Sequence, residues 1–237
     1  MRKLLGRLLF LTAVLSFSIT ISGSAALAVV CVPDSLAGYI GLGAGGCTIG
    51  EALFVDFVSL PIPGAATQIQ PQNITVTPLS SPFNFGLEFG VNLTPGPGEF
   101  LDAVIGYAVS GAPFIGNTLS IAGASATGDG AVTTVEDKCL GGIFDPTGPT
   151  GCSGVHNTLI VFAIEGDADT LEQLAFAAVT GIGVVTDIGV DGGSAGTAAL
   201  TSATNQFQIV PEPATIVLLA SGLSGMGLFF SRRRKKV

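Results

Sequence analysis

The chain has 237 residues, 48% of them hydrophobic and only 11% charged, with a formal net charge of −8. Eight of its nine lysines and arginines crowd into the two ends, and Lys138 is the only one between Arg7 and Arg232. Phosphate contact needs lysine and arginine, so this composition excludes nucleic-acid binding and disfavours anionic lipid as a partner of the central segment.

Taken in chain order, the first element reads as a secretory signal. Arg2, Lys3 and Arg7 form a positive start, Leu8 to Ile21 is apolar apart from Ser and Thr, and small residues lead to Ala26-Leu27-Ala28. That is an A-x-A cleavage pattern. The apolar run is short of the roughly 20 residues a spanning helix needs, which favours a cleaved peptide over an anchor. Domain boundaries follow: a signal over 1–28, an exported domain over 29–209 and a C-terminal signal over 210–237.

Removing both ends leaves one lysine against sixteen acids, a net charge of about −15. Such a surface stays soluble outside a cell and attracts divalent cations. Four cysteines lie in this segment and none in the ends. An even count in an oxidising compartment predicts two disulfides. Of three connectivities the local pairs Cys31–Cys47 and Cys139–Cys152 are favoured, each expected to contribute about 3 kcal/mol. Zinc is the rival, but neither pair has CxxC spacing and there is one histidine.

The middle reads as strands: Gly and Pro punctuate short runs of Val, Ile, Thr and Phe. Expected strands are Ala52 to Ser59, Ile69 to Val76, Phe83 to Phe89, Leu101 to Ser110, Thr118 to Ala122, Leu159 to Ile164, Ile182 to Ile188 and Thr197 to Ile209. Phe83, Phe85, Leu87 and Phe89 alternate most cleanly, as a half-buried strand requires. Only Asp169 to Thr180 looks helical, with Leu171, Leu174 and Ala175 at helical spacing. There is no internal repeat, and no linker beyond the Gly-Ser-Ala stretch from Gly192 to Thr197. The fold class expected is all-β, an antiparallel β-sandwich in one domain.

Few residues suggest chemistry. His156 is the only histidine; Ser153 is near it in sequence, yet no Gly-x-Ser-x-Gly elbow is present. A turn or surface histidine is the simpler reading. With no Trp and two Tyr, the material for sugar-stacking platforms is poor. The chain is therefore expected not to be an enzyme, and no catalytic residue is assigned. Asp167 and Asp169, with Asp187 and Asp191, place carboxylates beside turn glycines and form the calcium candidates, though neither set matches an EF-hand loop. No other metal or cofactor is implied.

The C-terminal element has three parts. Pro211, Glu212 and Pro213 precede an uncharged apolar stretch, 214–230, and Arg232, Arg233, Arg234, Lys235 and Lys236 close the chain. The basic cluster is expected to stay cytoplasmic and hold everything upstream outside. Ser221 and Gly225 give the helix a small-residue face for close packing. On physics alone a simple tail anchor and a removable processing signal are hard to separate.

The order of these parts resembles the PEP-CTERM sorting signal. That resemblance implies recognition of Pro211, Glu212 and Pro213 by exosortase, an inner-membrane transpeptidase-like enzyme, after export by the general secretion machinery. It further implies transient anchoring through the helix, then release to the cell surface or an exopolysaccharide, biofilm-associated matrix. Cys31, Leu36, Tyr39, Ile40 and Gly46-Cys47-Thr48-Ile49-Gly50, with Phe54 and Phe57 beyond, also resemble the opening of a group of PEP-CTERM ectodomains. Asn205-Gln206-Phe207-Gln208 fits their ending. A structural role outside the cell is the leading expectation. A calcium- or carbohydrate-binding surface module is the alternative, and a secreted hydrolase a lesser one.

Overall fold

A computed structural model describes residues 28–61, 64, 66–145 and 151–210. Ala26, the three-residue sorting motif, the apolar stretch 214–230 and the basic tail lie outside the described residues; Ala28 is the first residue inside them and is half-buried.

The chain begins with β1 (Val29–Val30), β2 (Asp34–Ser35) and a short helix α1 (Leu36–Gly41), followed by β3 (Cys47–Ile49) and β4 (Ala52–Leu60). Ser35 caps α1 by accepting a hydrogen bond from Gly38 N–H at 3.2 Å. The Cys31–Cys47 disulfide ties β1 to β3 around this helix. Leu36 and Tyr39 point from it into the core, where the Tyr39 ring meets Phe57 edge-on at 5.0 Å.

Next come β5 (Thr67–Gln68), a 3₁₀ turn at Pro71–Asn73, β6 (Thr75–Ser81) and β7 (Asn84–Leu93). The strand expected from Ile69 to Val76 is thus interrupted. Pro71 has no N–H to give a ladder and sits in the 3₁₀ turn instead, so pairing starts only at Thr75. In β7, Phe85, Leu87, Phe89, Val91 and Leu93 are all buried, while Phe83 is exposed before the strand.

Two strands are much longer than the sequence suggests. β8 (Phe100–Ala122) joins the two runs expected at Leu101–Ser110 and Thr118–Ala122. After β9 (Ser125–Thr127), β10 (Ala131–Leu140), β11 (Val155–Ile164) and β12 (Asp167–Asp169) comes β13 (Leu171–Asp191), and β14 (Thr197–Ile209) ends the fold. The helix expected at Asp169 to Thr180 is not formed. That segment is the first half of β13, paired with β8 from Leu171↔Ser120 to Val179↔Phe114. Its helical spacing is overridden because the β8 edge offers partners for its backbone groups.

The fourteen strands among the described residues form one hydrogen-bonded network, antiparallel except where β1 joins β3 and β5 joins β8. It is sandwich-like because it folds over on itself. The first half of β8 lies between β4 and the second half of β13, and its second half lies between β14 and the first half of β13. The bend falls where β13 breaks register, between Ala175 and Gly181, opposite Gly111 and Pro113 of β8. Gly111 has φ +91°, and a Cβ there would lie 2.6 Å from the Glu51 carbonyl. The layers therefore share two strands, where a simple sandwich would keep two separate sheets.

Aromatic rings fill the space between layers. Phe54 of β4 meets Phe207 of β14 at 6.3 Å, and Phe89 of β7 meets Tyr107 of β8 at 6.1 Å, although neither pair belongs to hydrogen-bonded neighbours. The stretch from Gly192 to Thr197 is a pinned turn and not a linker. The Asp129 carboxylate accepts from the N–H groups of Ser194 (2.8 Å) and Ala195 (3.0 Å) and from the Ser194 hydroxyl. The Ser194 hydroxyl first, then these amides, hold Asp129 well below the usual carboxylate range.

Candidate functional site

Two places gather chemistry: a cleft on the outer face of the β4–β8–β13–β10 layer and a polar cluster inside the sandwich.

The cleft exists because Gly106 of β8 and Gly183 of β13 put no side chain on that face. A Cβ at Gly106 would lie 2.8 Å from Val58, and one at Gly183 would lie 2.9 Å from the Ile143 backbone. Val58, Leu60 and Val185 form its walls, Ile143 and Phe144 lean over it, and Asp56 and Asp145 stand at its rim, around a volume of about 360 Å³. The overhang belongs to the loop closed by the Cys139–Cys152 disulfide. Gly183 N–H donates to Gly142 O at 2.9 Å, which lays the loop on the sheet. Asp56 has φ +57° at a bulge in β4, where the register against β8 shifts.

His156 lies beside this loop, in β11 rather than in a turn. Its Nε2 is 2.8 Å from Asp137 Oδ1, and the Thr158 hydroxyl donates to the same oxygen at 2.7 Å. Ser153 is not its partner. That hydroxyl donates to Ile143 O (3.3 Å) and accepts from Ile143 N–H (3.1 Å), closing the loop. The histidine and aspartate are held as an orienting pair, and among the described residues no nucleophile is hydrogen-bonded to the histidine.

Asp102 of β8 and Asp187 of β13 are diagonal neighbours on the same outer face, since Asp102 pairs with Gly189 and Val104 with Asp187. Burial, then the charge and hydrogen bond of Asp187, push Asp102 up to about 7, against a smaller pull from the Ala103 amide. Burial likewise raises Asp187. At neutral pH the pair shares protons, because two close carboxylates do not both ionise cheaply. An acid raised on folding makes the native state bind more protons than the unfolded chain. Stability contributed by Asp102 is therefore present below its ordinary value of 3.8 and is lost as pH rises towards 7. Asp102→Asn should flatten the fall in melting temperature between pH 5 and pH 8. A variant whose profile tracks the parent would show that the pair does not titrate in that window.

The calcium candidates do not converge. Asp167 and Asp169 lie exposed on β12, two strands beyond β10, while Asp187 and Asp191 lie on β13 on the other side of β10. At about 4.8 Å per strand the two sets stand roughly 14 Å apart. Asp187 is engaged with Asp102, and Asp191 accepts from Gly193 N–H at 2.8 Å. Among the described residues no three His, Cys, Asp or Glu side chains are placed to hold a metal ion. Both tyrosines are buried, so neither offers a stacking face to a sugar.

The inner cluster was not visible in the sequence. The inward face of β10 carries Val132, Thr134, Glu136 and Lys138, all with no exposed surface. Lys138 Nζ is 3.5 Å from Glu136 Oε1, an ion-pair distance without hydrogen-bond geometry. Asn205 of β14 donates to Thr186 Oγ1 (2.7 Å) and Tyr107 Oη (3.1 Å). Asn117 of β8 donates to Gln206 O at 3.2 Å, while its own Oδ1 has no partner. Burial first pushes Glu136 up to about 7, opposed by Lys138 and then by the Asn117 amide. Burial lowers Lys138, opposed mainly by Glu136. The signal that could have found this cluster is the lysine's solitude: the exported segment's one cation is the least exposed it can be.

The fold and these sites define an acidic, doubly disulfide-linked all-β domain whose first strand starts at Val29 and whose last ends at Ile209. Residues 210–235 match the PEP-CTERM protein-sorting motif. That motif implies an exported protein, anchored at its C-terminus before exosortase processing. No curated protein matches the chain. Among solved structures, the TmCBM61 carbohydrate-binding module in complex with β-1,4-galactotriose is similar at 9% identity and TM-score 0.30, over 52% of this chain and 70% of that one. The enzymatically active domain of bacteriophage CBA120 tailspike protein 4 is similar at 11% identity and TM-score 0.21, over 69% of this chain and 20% of that one. At these scores neither likeness carries an argument about fold or function.

Proposed function

We propose that this protein is a non-enzymatic structural component of the cell exterior, delivered by exosortase to the surface or to an exopolysaccharide matrix. The observation carrying this reading is the junction at the end of the fold. Phe207 and Ile209 are buried, Ile209 N–H donates to Phe83 O at 3.0 Å and Val210 N–H to Pro113 O at 3.0 Å. The sorting motif begins at that same Val210. The contacts that hold Phe207, Ile209 and Val210 all lie upstream of the cut, so a domain processed there keeps them. The acidic surface and the two disulfides suit a protein that must stay soluble and intact without chaperones or ATP outside the cell.

The test is the mass of the protein recovered from the outside of its native cell, beside a Glu212→Gln variant. The expected native product starts at Val29 and ends within Pro211 to Pro213, while the variant keeps its tail and stays in the membrane fraction. An intact C-terminus in both proteins would leave the motif a plain anchor and end the proposal of delivery.

A further inference from the structure

Lys138 carries the only side-chain amine between Arg7 and Arg232, and it is fully buried with no hydrogen bond to its Nζ among the described residues. Taking an ammonium out of water costs several kcal/mol, which one loose ion pair does not repay. The carboxyl group beside it, Glu136, is equally buried and also faces the Asn117 amide. Asn117 is in the opposite layer, on the second half of β8, with no exposed surface and with its Oδ1 unpartnered. Packed layers stand about 10 Å apart, a gap that a lysine and an asparagine side chain together span. A nucleophile and a carboxamide therefore face the same acid, Glu136, from two layers of a dry core.

We propose that Lys138 and Asn117 react to form an intramolecular isopeptide bond between Nζ and Cγ, with Glu136 moving the protons. The neutral amine attacks Cγ and the Nζ–Cγ bond forms. Glu136 in its acid form protonates the departing Nδ2 and, as carboxylate, takes the proton released from Nζ. The Cγ–Nδ2 bond breaks and one ammonia leaves. One amide replaces another, so no oxidant, reductant or cofactor is needed, and the exclusion of water prevents hydrolysis at Cγ.

The surroundings suit each step. Burial lowers Lys138 toward the neutral amine that attack requires, and holds Glu136 near 7, where it both gives and accepts a proton. The other charged groups acting on this pair are Asp137 on both and Glu172 on Lys138, with the Tyr107 phenol also near Glu136. Asn205 is the poorer acceptor, because its amide donates to the Tyr107 and Thr186 hydroxyls, whereas the Asn117 amide faces the Glu136 carboxyl. The product would staple β10 to the far half of β8, joining the two layers covalently where the two disulfides do not.

The lysine's solitude makes the test direct. Lys138 is the only tryptic site in the exported segment, and an acylated lysine is not cut. The full chain is denatured, reduced and digested with trypsin, and its fragments are weighed. The expected result is a segment uncut at Lys138 and one ammonia lighter than its sequence, which a second protease cutting between 117 and 138 opens into a branched peptide joining the two. Asn117→Ala should be cut at Lys138, and Glu136→Gln should lose the mass change and regain the cut. Full mass and ready cleavage at Lys138 in the unaltered protein overturn the proposal whether or not the variants fold. A branch to Asn205 overturns the choice of acceptor, and a Glu136→Gln protein that still cross-links overturns the role of Glu136.

Discussion

Phe207→Ala is expected to lower the stability of the exported domain by about 3–5 kcal/mol. The ring has no exposed surface and lies where the layers meet, 6.3 Å from Phe54 and 5.9 Å from Phe114. Phe54 reaches it from β4, which pairs with the first half of β8, and Phe114 from just past the bend. Removing the ring opens a cavity that three separate backbone segments would have to close together. The neighbours are held by ladders on both sides, so collapse into the hole is limited and the cost falls in the upper range. Denaturant unfolding followed by fluorescence or circular dichroism measures it. A loss below about 1 kcal/mol would mean that the two layers are not packed through this ring.

Glu136→Ala is expected to cost a similar amount, about 3–5 kcal/mol near neutral pH, because it strands the Lys138 ammonium in the core. The sign of its pH dependence is specific. Burial lowers Lys138 below its ordinary value of 10.5, so the unfolded chain binds more protons than the folded one in that window. Stability of the variant should therefore rise as pH climbs towards 10.5, as the stranded amine sheds its proton. The double replacement Glu136→Leu with Lys138→Met should be less destabilised than Glu136→Ala alone, since it leaves no buried charge behind. A double variant weaker than the single one would show that Glu136 and Lys138 contribute more than their mutual attraction. Comparing melting temperatures of the three proteins at two pH values separates these outcomes.

The strands legible in the sequence are those whose apolar residues face one way. β14 spans Thr197 to Ile209 as the alternation suggests, and Phe85, Leu87 and Phe89 of β7 are buried as that pattern requires. β10 was missed for the opposite reason. Its inward positions include Thr134, Glu136 and Lys138, so the periodic signal reads as a polar segment although the strand is central. The first half of β13 looked helical because Leu171 and Leu174, three residues apart, would share a helix face, whereas in the strand they fall on opposite faces. Only the presence of the β8 edge decides between helix and strand. The length of β8 was hidden by Gly111 and Pro113, which locally read as a stop and in the fold mark a bend that the pairing passes through.

The same division holds for the sites. Lys138 was conspicuous as a lone cation, but nothing local says that it turns inward or that Asn117 lies opposite. The acids that looked like calcium loops are near in sequence within each pair, yet β10 and β11 intervene between the pairs. What the sequence determined by itself is what a linear signal can carry: the sorting motif at 210–235, the charge balance and the alternating strands. These depend on neighbours within a few residues, so order along the chain is enough to specify them. The tertiary structure alone decided which strands share an edge, how one sheet becomes two layers, and which polar groups lose their water. Burial and pairing are properties of residues far apart in the chain, and only the folded backbone brings them within reach of one another.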